Sequence, residues 1–89
     1  MIMYLYATKN KKSGDFGKLS TELYNCDQIK DLYINSVKEA PEKQRVYLEE
    51  LELYCLGSLD TQTGDIKSEK TFLIDLGSVV HGETNKEVE

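Results

Sequence analysis

The chain has 89 residues, 39% hydrophobic and 30% charged, with a formal charge of −5 and no tryptophan. That length holds one small domain, and the composition is that of a folded chain rather than a linker or disordered tail. An acidic balance weighs against an ordinary nucleic-acid binder, whose surface is usually basic. Two cysteines, Cys26 and Cys55, are too few for a disulfide scaffold, and with one histidine, His81, they are too few for a structural zinc site. No apolar run is long enough to span a bilayer, and the opening residues lack a basic leader and a small-residue cleavage site. The expected setting is a cytoplasm, with no membrane and both thiols reduced.

Residues 1–8 alternate, with Met1, Met3, Leu5 and Ala7 on one side and Ile2, Tyr4, Tyr6 and Thr8 on the other. This pattern predicts a strand. The polar stretch that follows carries Lys9, Lys11, Lys12, Gly14 and Gly17 and reads as a lysine-rich hairpin loop. Residues 16–23 are a weaker candidate for the returning strand.

Asn25 with Gln28 has capping-box spacing, and Ile29, Leu32, Tyr33, Val37 and Ala40 form a helical stripe. Pro41 ends that helix and suits the first turn of another over 41–50, with Arg45, Tyr47 and Leu48 on its inner edge. Residues 51–59 predict a strand buried on both faces around Cys55. Asp60 to Gly64 predicts a hairpin turn, and 65–67 starts the returning strand. Residues 71–80 fit either a strand or a short helix. Residues 81–89 read as a polar, flexible tail after a domain spanning 1–80. No internal repeat is visible. The order predicts an α+β fold: an antiparallel sheet of three or four strands, with one main helix and a short second helix on one face.

Catalytic chemistry finds no support. There is no phosphate-binding glycine loop, His81 is the only histidine and lies in a polar region close to the expected frayed end, and the acids around 60–69 lack calcium-loop spacing. The expectation is a non-enzyme with no cofactor and no metal.

Charge divides the chain: residues 1–25 carry +2 and the remainder −7. Two binding surfaces follow. Tyr4 and Tyr6 on one strand face, with Lys9, Lys11, Lys12 and Lys18, have the parts of a single-stranded nucleic-acid platform, where rings stack on bases and lysines meet phosphates. The same residues also suit a half-solvated sheet face with a polar turn. Glu49, Glu50, Glu52, Asp60 and Asp65 form an acidic region that could occupy the basic, nucleic-acid-binding cleft of a host protein, acting as a charge mimic that inhibits a host nucleic-acid-binding or defence protein. At this size a homodimer is a natural way to gain stability.

The run from Leu53 to Ile66, LYCLGSLDTQTGDI, resembles the pattern L-Y-x-L-G-x-F-D-x-x-T-G-x-I of the small nonstructural protein of gokushovirus-type microviruses and related bacteriophages, with Leu59 in place of its phenylalanine. Lys12 to Gly17 is similar to that family's K-S-x-x-F-G turn, and Pro41-Glu42 to its proline-led connector. The resemblance implies a non-enzymatic phage accessory protein that binds single-stranded DNA during genome replication or packaging. The motif also has a purely structural reading, in which Gly57 permits a bulge and Asp60, Thr63 and Gly64 build a turn.

Overall fold

A computed structural model describes residues 1–82. Strand β1 (Ile2–Asn10) is followed by a three-residue β2 (Ser20–Glu22), helix α1 (Cys26–Glu39) and the short α2 (Glu42–Leu48). Strands β3 (Leu51–Asp60) and β4 (Ile66–Asp75) come next, and α3 (Leu76–Val80) closes the order. The strands form one antiparallel sheet, β2-β1-β3-β4. The α+β class and the helix-on-sheet architecture expected from sequence are thus observed.

Local chemistry sets the boundaries. Asn25 accepts from the Gln28 amide at 2.9 Å and Gln28 returns the bond to the Asn25 amide at 3.0 Å, so the predicted capping box is present. Two donors that the first helical turn would otherwise strand are thereby satisfied. Pro41 separates α1 from α2, and the preceding Ala40 is extended, as a residue before proline should be.

The core lies between the sheet and the helices. Tyr6, Leu53 and Cys55 meet Ile29 of α1 in one cluster; Leu51 meets Val37, Leu76 and Val79 in a second. All these strand residues share one face, so the helices cover that face. Gly57 marks a kink between β1, β3 and β4, where the pairing register shifts on both sides. Its φ is +142°, and a Cβ there would lie 2.0 Å from the Lys67 carbonyl oxygen. Only glycine allows that approach.

Four expectations change. Residues 51–59 are not buried on both faces: Leu51, Leu53 and Cys55 are buried, while the alternating Glu52, Tyr54 and Leu56 are only half-buried, because no helix covers their side. Leu32 and Tyr47 are exposed rather than inner-edge residues, since the stripes they belong to are wider than the contact each helix makes. The returning strand over 16–23 shrinks to β2, with one isolated bridge from Lys9 to Phe16. Residues 71–80 divide, continuing β4 to Asp75 and then turning into α3. Of the expected tail, His81 and Gly82 close α3, and 83–89 lie outside the described residues.

Candidate functional site

The lysine turn is built by Asn10, whose side-chain oxygen accepts from the amides of Lys12 (2.8 Å) and Ser13 (3.1 Å). Gly14 closes it at φ +78°. The turn rests on the start of β3, where the Lys11 amide donates to the Glu50 carbonyl at 2.8 Å. Both lysine side chains then find acids. Lys11 Nζ lies 2.9 Å from Asp75 Oδ1, and Lys12 Nζ lies 2.7 Å from Glu50 Oε1. His81 Nε2 stands 3.2 Å from Glu49 Oε2. Together they line a shallow groove of about 430 Å³ at one end of the sheet.

One member of each predicted surface, Lys12 and Glu50, separate in the sequence, therefore meet as an ion pair, and Lys11 is paired with Asp75. The hydrogen bond from Lys12 holds the Glu50 carboxyl below its ordinary range, and the same bond raises the Lys12 ammonium above its own. Asp75 is doubly committed, because its Oδ1 also caps α3 through the Gly77 amide at 2.8 Å. Phosphate binding at Lys11 and Lys12 would have to break these pairs. The acidic set is also divided. Glu52 pairs across the sheet with Lys9 and Asp75 near the groove, whereas Asp60 and Asp65 form the turn at the far end of β3. A ten-residue strand separates the two groups by about 30 Å.

The tyrosine face is a second correction. Tyr6 is 0% exposed, and Tyr4 is half-buried beside it with ring centroids 6.4 Å apart. Tyr6 is the register partner of Cys55, so strand alternation turns it toward α1. Its hydroxyl donates to the Tyr24 carbonyl at 2.7 Å, and burial pushes its pKa well up. No base can stack on Tyr6. Of the remaining candidates, Lys18 is exposed in the loop, and Lys9 lies over the Phe16 ring, 5.9 Å from its centroid.

That last contact leads to a feature absent from the sequence reading. Tyr54 sits between Leu53 and Cys55, both of which face the helices, so it points to the opposite, uncovered face. There it meets Phe16 at 5.3 Å and Phe72 at 5.5 Å between centroids, each pair edge-to-face. Phe16, Tyr54 and Phe72 thus form a row across β1, β3 and β4, with Lys9 at one end. Phe16 is 39% exposed and Phe72 49%. Ala7, the register partner of Tyr54, forms the floor. The three rings are scattered through the sequence at 16, 54 and 72. Pairing Tyr54 with the alternating Phe72 of the next strand was the signal that could have joined two of them.

Among the described residues there is no group of three or more metal-ligating side chains, and no helix is long and apolar enough to cross a membrane. No family model, curated protein or solved structure matches this chain.

Proposed function

We propose that the chain is a non-enzymatic accessory protein that binds single-stranded nucleic acid on the open face of its sheet, working in the cytoplasm of a phage-infected cell. The observation that carries this reading is the Phe16–Tyr54–Phe72 row with Lys9 over Phe16. Partly exposed rings on a sheet face offer π-surfaces to unpaired bases, and stacking of this kind needs no sequence readout. The resemblance of residues 53–66 to the microvirus family supports the same reading and the choice of single-stranded DNA. The −5 charge bears on selectivity: duplex DNA presents more phosphate and hides its base faces. The small size favours a homodimer.

The acidic-inhibitor reading has less to rest on, because Glu49 and Glu50 are paired with His81 and Lys12, and Asp60 and Asp65 are distant. Fluorescence anisotropy with labelled oligo-dT at low salt tests the proposal. Phe72→Ala should weaken binding by about 5- to 150-fold, the loss of one stacked base. Lys12→Gln should change affinity less than about twofold, since that ammonium is already paired. No binding by the wild type, or equal binding to a duplex of the same length, sinks the proposal.

A further inference from the structure

Neither cysteine belongs to the open face, yet the fold brings the two together. Cys55 is buried on the helix side of β3. Its register partner Tyr6 reaches up from β1 to bond the Tyr24 carbonyl, two residues before Cys26. That bond anchors the chain entering α1, and Cys26, the first helical residue, packs against the cluster containing Cys55. Both cysteines line one cleft of about 200 Å³, whose rim carries the exposed Glu69 and Thr71. Burial raises the Cys55 thiol pKa, and the adjacent Cys26 adds to that. Cys26 is only half-buried and is the thiol that solvent reaches. The two differ in access but share a cavity, which is the arrangement of an attacking and a resolving cysteine.

We infer that Cys26 and Cys55 are an oxidisable pair, closed by peroxide to a disulfide that ties the start of α1 to β3. The Cys26 thiol releases its proton and the thiolate attacks one peroxide oxygen; the O–O bond breaks, the hydroxide that leaves takes up that proton as water, and a sulfenic acid forms on Cys26. The Cys55 sulfur then attacks the Cys26 sulfur. The S–O bond breaks and the S–S bond forms, and the departing hydroxide takes up the Cys55 proton as water. Two thiols are oxidised by two electrons and one hydrogen peroxide is reduced to two waters. In a reducing cytoplasm such a bond is transient, as in a redox sensor rather than a structural staple.

The test exposes the folded protein to hydrogen peroxide, followed by alkylation under denaturing conditions and intact-mass measurement. The expected product is monomeric on a non-reducing gel, lighter by two hydrogens, without alkylatable thiol, and restored by dithiothreitol. Its unfolding midpoint should rise, because the bond closes a loop of about 30 residues. Cys26→Ser should leave Cys55 alkylatable after the same exposure, and Cys55→Ala should hold Cys26 as a sulfenic acid that dimedone traps. Two free thiols in the treated wild type, added oxygen in place of lost hydrogen, or cross-links only between chains would each overturn the inference.

Discussion

The two faces of the sheet use the same residue types for opposite ends. On the covered face Tyr6 is fully buried, its hydroxyl bonded to a carbonyl, its ring packed with Leu53 and Ile29. On the open face Tyr54 stays half-buried, with Phe16 and Phe72 against its two sides and water above. Leu53 and Tyr54 are neighbours in the chain, one residue apart and on opposite sides of the sheet. The difference shows that an aromatic side chain here is buried core or partly exposed surface by strand parity, not by identity.

Truncating each neighbour breaks or sharpens that contrast. Leu53 is 0% exposed, so Leu53→Ala should cost about 2–5 kcal/mol in urea unfolding, from lost transfer energy and the cavity left behind. Tyr54→Ala removes two edge-to-face contacts, each worth about 0.5–1.5 kcal/mol, on a side where water can fill the space. It should therefore cost less stability than Leu53→Ala and lose far more oligonucleotide affinity. Equal destabilisation by the two would mean that the open face is a second core, and the contrast would fail.

The sequence revealed what is local and concealed what is not. The Asn25–Gln28 box and the Pro41 break each depend on a few adjacent residues, and each stands where its chemistry predicts. Gly57 also stands at a bulge, but what requires glycine there is the Lys67 carbonyl across the sheet. Parity on β1 was also legible, since Tyr4 and Tyr6 do share a side. Which side the helices would take was not, because Leu5 and Ala7 opposite are equally apolar and equally buried. The pairing of Lys12 with Glu50 joins residues far apart in the chain, and no local pattern announces it. The same limit hid a repeat. Asn10–Asp15 (NKKSGD) and Asp60–Asp65 (DTQTGD) share only Gly and Asp at matching positions, yet they fold alike. In each the first residue's amide bonds the last residue's carbonyl at 2.9 Å, and the glycine amide returns to the first carbonyl, at 2.8 Å in one turn and 2.7 Å in the other. Asn and Asp, like Ser and Thr, present the same acceptor to the backbone, so the chemistry repeats where the letters do not.

The turn glycines test that equivalence at a smaller scale. Gly14 has φ +78° and Gly64 φ +79°, and a Cβ at either would meet nothing within 4 Å. Alanine there pays only for the left-handed backbone, about 1–2 kcal/mol. Both turns are exposed, so Gly14→Ala and Gly64→Ala should lower stability by the same amount, although the first turn is also tied to Asp75 and Glu50 through Lys11 and Lys12. A clearly larger loss at Gly14 would show that the ion pairs depend on the turn's shape, and the two hairpins would no longer be equivalent.

The smallest effect concerns the end of the sheet, where neither face is involved. Glu50 is held below its ordinary carboxyl pKa by the Lys12 hydrogen bond. A lowered carboxyl contributes stability above its unfolded pKa and loses it as pH falls through the folded value. Lys12 is raised, so its share is present below the ordinary lysine pKa and is lost as pH rises through the folded one. The pair therefore acts across the neutral range and fades at both extremes. The Lys12 side chain is 78% exposed, so the contribution is small and salt should screen it. Thermal midpoints of wild type and Glu50→Gln should differ slightly at neutral pH and low salt, then converge in acid and at high salt. A gap that persists in acid would assign the loss to uncharged contacts of the Glu50 side chain rather than to its charge. Oligonucleotide affinity separates the regions once more. Glu50→Gln frees Lys12 but leaves the Phe16–Tyr54–Phe72 row untouched, so binding should hold or strengthen slightly, whereas a large gain would move the binding surface from the open face to the lysine turn.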